Sequence, residues 1–291
     1  MTLAVDASLV TEQRTRAPLA RLLRSELRFM IRRPRTLVAF GVLAVAPIIA
    51  GIAMSVASTS AQGGSGDQVI DGVAALVADN GLILPVFVLV LSMTMFLPML
   101  GAMWSADALA GETQTGALRG LLLAPVSRVR LLGVKAFGVA VLTFLAVVVL
   151  AVVGVLAGLT ILGGGGMVTF SGTTLPFWDS IGRIGLLVVL VTIQVWAVAA
   201  VALAISSATE HPLVVMASTL GGIIIFSILN NISGLSWLHP VLLTDGWNAT
   251  LADVLRDPIP PDNLTDGVLR AACYILIGYS LALARMSTKD G

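Results

Sequence analysis

The charged residues Glu112, Arg119, Arg128, Arg130 and Lys135 fall within positions 105–135, between two long apolar runs, in a chain that is only 11% charged. Their pattern suits docking. Leu118, Leu121, Leu122 and Leu123 recur at helical spacing, with Arg119 on another side, so this stretch predicts a short amphipathic helix. Pro125 then breaks the helix and Ser127 is placed to cap the next one. Glu112 is expected to accept a hydrogen bond from a partner or to cap its own first turn. Its expected position outside the bilayer implies that removing it leaves the membrane fold intact. Arg119 is available to pair with an acidic group across such an interface. A second contact on the same side is expected at Thr209-Glu210-His211.

Other chemistries lack their residues. There is no His-Glu-x-x-His pair and no pair of glutamates within an apolar span, as a membrane protease would need. The glycine run at 163–166 has no following Lys-Ser/Thr, so the nucleotide-binding loop is missing and no cofactor is expected on this chain. His211 and His239 fall near opposite faces, and no metal site is expected. Ion-coupled transporters keep charged groups at mid-membrane. Here the mid-span polar residues are neutral: Thr94, Thr143, Thr192, Gln194, Ser218, Thr219 and Ser227. They are read as helix-to-helix hydrogen bonds or as substrate contacts. Energy for transport would have to come from another polypeptide.

The elements that must carry these residues follow from composition. The chain is 57% hydrophobic with a mean hydropathy of +0.98, and runs of about 20 apolar residues are membrane helices. Six spans are expected, near 36–57, 82–104, 136–162, 184–208, 212–232 and 267–284. The fourth and fifth form a hairpin through a tight turn, with Thr209 as N-cap and Pro212 in the following first turn. Cys273, the single cysteine, is expected to be a packing residue in the last span. With six spans, Arg14, Arg16, Arg21, Arg24, Arg28, Arg32, Arg33 and Arg35 lie on one side with Arg119, Arg128, Arg130, Lys135, Arg285 and Lys289. The other side holds Arg183, Arg256 and Arg270 against nine aspartates between Asp67 and Asp266. The positive-inside rule then places both termini in the cytoplasm.

Residues 15–33 alternate basic and apolar. Leu19, Leu22, Leu23, Leu27, Met30 and Ile31 share one broad face, and Arg21, Arg24 and Arg28 belong to the other. Such a helix lies in the interface and is drawn to anionic lipid. The expected organisation is a tail (1–13), an interfacial helix (14–35) and a transmembrane domain (36–291), with a cytoplasmic loop at 105–135 and an extracellular segment at 233–266. Short helices dipping into the outer leaflet are expected in that segment, with Trp237 and Trp247 in the aromatic belt.

The stretch ETQTGALRGLLLAPVSR, from Glu112 to Arg128 and followed by Lys135, resembles the membrane subunit of type-2 ABC exporters. In that family a Glu, a Gly-Thr-Leu-like step, a Leu-Leu pair and a Pro-Val-Ser-Arg turn occur at this spacing. This chain has Gly-Ala-Leu and Gly-Val-Lys where Gly-Thr-Leu and Gly-Lys are common. The resemblance implies an all-α integral membrane protein of six transmembrane helices. It also implies an N-terminal elbow helix, a cytoplasmic coupling helix between spans two and three, and extracellular re-entrant helices before span six. The implied ATPase-coupling residues are Glu112, Thr115, Gly116, Leu118, Arg119, Leu122, Pro125, Ser127, Arg128 and Glu210. The implied cleft, lined by spans one, two and five, draws on Met93, Thr94, Gln194, Ser218, Thr219 and Asn230. The implied partners are two ABC ATPase subunits carrying ATP and Mg, a second permease identical or similar to this one, and membrane lipid, with no nucleic acid. The expected function is ATP-driven export of a hydrophobic or amphipathic cargo through a prokaryotic plasma membrane. The alternatives are a non-transporting receptor or immunity-type binding protein, and an ion-driven drug exporter.

Overall fold

The computed structural model describes residues 19–61, 80–114, 127–164, 166–169, 171–247 and 252–288. The chain is an all-α membrane protein. Helix α1 (Leu19–Ile31) leads through a two-residue turn into α2 (Pro34–Ala61). Helices α3 (Ile83–Thr94), α4 (Phe96–Ala108) and the short α5 (Ala110–Gln114) follow, then α6 (Arg128–Ala157), which closes in a π-helical turn. The strands β1 (Met167–Val168) and β2 (Thr174–Leu175) form a small antiparallel ribbon just after the glycine run. Then come α7 (Phe177–Ala208), α8 (Pro212–Asn230), two 3-10 turns at Ser233–Leu235 and His239–Val241, and α9 (Pro261–Thr288).

Among the described residues five helices are long and apolar enough to cross a membrane, and six spans result if the bent pair α3–α4/α5 counts as one. The second span was expected near 82–104. It bends by 55° at Met95 and continues to Gln114. Pro98 explains the break: it has no N–H for the carbonyl of Thr94, and its ring collides with that carbonyl in a continuous helix. The chain between Ser105 and Gln114, expected to be loop, is thus a helical extension of this span.

Helix α7 is the hub, packed against α9, α4 and α6, and its contact with α9 is the longest in the molecule. Lipid tails are as apolar as leucine, so helices associate in a membrane through close packing. Gly278 serves this purpose: a side chain there would come within 2.7 Å of the Ala200 backbone. The Met30 thioether likewise fills the space over Gly138, which seats α1 on α6. By contrast, α2 and α8 turn much apolar surface outward, including Val38, Ile49 and Val56 on α2 and Leu213, Ile225 and Ile228 on α8. Cys273 is exposed, on an outward face of α9 and not in the packing.

Most mid-span threonines do not bridge helices. Thr143, Thr192 and Thr219 each donate to a carbonyl four residues earlier in their own helix, at 2.9, 2.6 and 2.8 Å. The cross-helix bonds come from other residues. Ser105 donates to the Ala199 carbonyl (3.0 Å) and the Trp196 indole to the Ala140 carbonyl (3.0 Å).

Candidate coupling site

Four elements converge where α5 ends, and they bring buried charges together. Lys135, in the second turn of α6, has a side chain only 3% exposed. Its ammonium donates to Glu26 of α1 at 2.9 Å and also to Glu112 of α5. Arg33, in the turn between α1 and α2, lies 3.4 Å from Asp107 of α4 and 3.7 Å from Glu112, and its guanidinium stacks over the Phe29 ring at 4.5 Å. Arg35 approaches Asp107 at 3.7 Å but is three-quarters exposed. Three cations thus meet three carboxylates. These residues, with Pro34, Gly111, Gln114 and Pro212, line a cavity of about 760 Å³.

Glu112 is therefore buried and paired within its own chain, not standing on the surface. This corrects the expectation that its removal would leave the fold untouched, because taking one partner from a buried pair leaves an uncompensated charge. Local structure holds it in place. Leu109 interrupts the helix between α4 and α5, and Ser206 of α7 fills that break. Its hydroxyl accepts from the Ala110 N–H at 3.0 Å and donates to the Ala106 carbonyl at 3.4 Å. The Thr113 hydroxyl donates to the Leu109 carbonyl at 3.0 Å.

Of the other expected coupling residues, Thr115, Gly116, Leu118, Arg119, Leu122 and Pro125 lie outside the described residues. Ser127 occupies the N-cap position of α6 but makes no side-chain cap bond. Arg128 turns inward and donates to the Met286 and Ser287 carbonyls at 2.9 and 3.2 Å. A cation there stabilises the C-terminal end of α9. Glu210 is exposed in the α7–α8 turn. The N-cap of α8 is His211 and not Thr209, whose hydroxyl accepts the His211 N–H at 3.3 Å. Pro212 takes the first turn as expected. It places this turn beside Gly111, 3.8 Å from a side chain built there.

Arg21, Arg24 and Arg28 are exposed on α1, while Leu22, Leu23, Leu27, Met30 and Ile31 turn toward the bundle and Leu19 remains exposed. Sequence reasoning missed Glu26 and Asp107. The available signal was their charge: in a chain this apolar, a carboxylate beside a basic turn at a span's end needs a partner.

The expected cleft residues separate. Met93, Thr94 and Asn230 line one cavity of about 230 Å³ at the opposite end of the bundle, with Ser227, Asn231, Thr244 and Trp247. Gln194 is a brace: its amide donates to the Gly267 carbonyl at 3.0 Å and accepts from the Trp247 indole at 3.2 Å. Trp247 is therefore buried, not in an aromatic belt, whereas Trp237 and Trp178 are exposed. Ser218 and Thr219 fall on different faces of α8, the first exposed and the second buried.

The family model of the ABC-2 family transporter proteins matches residues 20–249. The chain belongs to that family. The match runs from α1 through the segment after α8, so the ion cluster and the second cavity both lie within or beside the family's own framework. No curated protein matches the chain. As an ABC-2 permease it is a membrane transport component, not itself the catalytic subunit, and permeases of this family associate with ABC ATPases.

Proposed function

We propose that this permease is the transmembrane subunit of an ATP-driven exporter that moves a hydrophobic or amphipathic cargo out of the cytoplasm. The observation that carries the reading is the buried ion cluster of Glu26, Arg33, Asp107, Glu112 and Lys135. It joins α1, the α1–α2 turn, α4/α5 and α6 where the chain enters the 115–126 segment, beside the α7–α8 turn. Motion imposed on that segment reaches four elements at once through charges that have no water to retreat to. The coupling segment runs from Glu112 to Leu123, and in this reading Leu118 and Leu122 dock on the ATPase while Arg119 pairs with an acidic group across the interface. Glu210 supplies the second contact.

In this reading the cluster faces the cytoplasm, both termini are cytoplasmic, and the membrane is a prokaryotic plasma membrane. Arg21, Arg24 and Arg28 meet anionic lipid. Two permeases, identical or similar, pair and engage two ATPase subunits, on which ATP and Mg are bound and hydrolysed. ATP-dependent closure of those subunits moves the coupling segments, and the cargo path alternates its access. The apolar outward surfaces of α2 and α8 and the neutral polar residues Thr94, Thr143, Thr192, Gln194 and Thr219 along the spans support a cargo of low charge.

The test is co-purification of the full chain with its ATPase, reconstitution in inside-out vesicles, and measurement of a hydrophobic dye's uptake. Uptake is expected with ATP and not with a non-hydrolysable analogue. Uptake driven by a proton gradient without ATP, or an ATPase that never co-purifies, overturns the proposal.

A further inference from the structure

The second cavity lies where the α3–α4 bend opens a space against the end of α8 and residues 242–247. Its walls include Met93, Thr94, Asn230, Asn231, Thr244 and Trp247. Met93, Thr244 and Trp247 are buried and form its floor, while Thr94 and Asn231 are exposed and form its rim. Among the described residues no ionisable side chain lines it. Two of its polar atoms, Asn230 Oδ1 and Thr244 Oγ1, are buried without a hydrogen-bond partner among the described residues. Thr244 is 7% exposed. An unmet buried polar atom costs free energy unless a ligand or water meets it.

Several of the other polar groups nearby are already engaged. The Trp247 indole N–H is held by Gln194, the Asn231 amide nitrogen donates to the Ser227 carbonyl at 2.7 Å, and the Thr94 hydroxyl donates weakly to the Val90 carbonyl at 3.4 Å. The cavity therefore offers a buried acceptor that needs a donor, a buried hydroxyl able to donate or accept, the Ser227 hydroxyl beside them, and an aromatic wall. A few convergent polar groups on apolar walls are the usual character of a small-molecule site.

We propose that this cavity binds a neutral, hydroxyl-rich head group of the cargo, of the chemistry of a single sugar ring. The proposal rests on the export reading and names the cargo class for it. A ring hydroxyl donates to Asn230 Oδ1, a second exchanges a hydrogen bond with Thr244 Oγ1, and the ring's C–H face lies on Trp247. A charged head is disfavoured because the cavity supplies no counter-charge.

The test uses the full chain in lipid nanodiscs, without nucleotide or ATPase, titrated with hexyl β-glucoside and followed by tryptophan fluorescence. 1-Hexanol and hexyl phosphate are the controls. A saturable signal is expected for the glucoside alone, and it disappears in Trp247→Phe. Thr244→Val and, independently, Asn230→Leu weaken binding roughly threefold to tenfold, the loss of one net hydrogen bond. Thr244→Ser binds like the parent. Thr244→Val unfolds at the parent temperature, because the hydroxyl it loses has no partner among the described residues. Equal titration by hexanol, or parental affinity in both Thr244→Val and Asn230→Leu, overturns the proposal and leaves water as the cavity's occupant. Since the assay contains no ATP, that result leaves the export reading standing. Intact binding with no ATP-driven transport removes the export reading alone.

Discussion

The two ends of the bundle use the same residue types in different ways. At the Glu112 end, Lys135 is almost wholly buried and pairs with Glu26 and Glu112 from two helices, while Arg33 reaches Asp107 and the same Glu112 from the turn between helices. At the other end, arginines hold loops. Arg183 of α7 pairs with Asp257 at 2.9 Å and donates to the Val254 carbonyl at 3.0 Å. Arg270 of α9 pairs with Asp245 at 2.9 Å and donates to the Leu242 carbonyl at 3.3 Å. Asp257 is 38% exposed, so water shares the work there. The first arrangement ties helix to helix, and removing one of its buried members takes a partner from a buried charge. The second ties irregular chain to the frame, and its loss is local.

That contrast breaks most easily at Lys135. Lys135→Met takes from Glu26 and Glu112 the cation they share, with Arg33 still 3.7 Å from Glu112, and we expect a loss of about 3–5 kcal/mol. The readout is the detergent-solubilised unfolding temperature and the yield of monodisperse protein. A parental unfolding temperature would show that the two ends do not differ in kind. Glu112→Gln is expected to cost about 1.5–3 kcal/mol, the worth of a hydrogen bond to a charged group, because Lys135 keeps Glu26. Its coupling to Lys135→Met in a double-mutant cycle should be non-additive, since the two residues share one network.

Arg183→Gln sharpens the comparison from the other side. We expect a loss of about 1 kcal/mol or less, screened by water, with faster amide exchange confined to residues 252–258 and cargo-stimulated ATP hydrolysis unchanged. Exchange that quickened across α7 as well would mean that this clasp is part of the frame. Arg35→Ala should have the smallest effect, a few tenths of a kcal/mol that vanish at high salt, because three-quarters of the side chain is in water. A large effect would mean that Arg35, not Arg33, anchors Asp107.

The sequence was legible where one physical rule dominates. Long apolar runs place α2, α6, α7, α8 and α9, because only a helix satisfies its own backbone in lipid. The alternation of Leu and Arg along 19–31 marks α1 and the faces it divides. Pro212 marks the start of α8. The ETQTGALRGLLLAPVSR stretch pointed to the family, and the match over residues 20–249 agrees.

What the sequence left open were partnerships. Glu26 and Lys135 are 109 positions apart, and nothing local distinguishes that pair from two solvated surface charges. Gln194 looks like a cleft residue until α9 and Trp247 arrive at either end of its amide. The hydroxyls of Thr143, Thr192 and Thr219 bond within their helices, a choice made by backbone geometry and not by residue type. Composition and periodicity determined which segments cross the membrane, because transfer into lipid depends on a segment's own surface. Only the tertiary structure decided which charges are buried together and which polar atoms are left unmet, because both depend on what a distant segment brings to the same place.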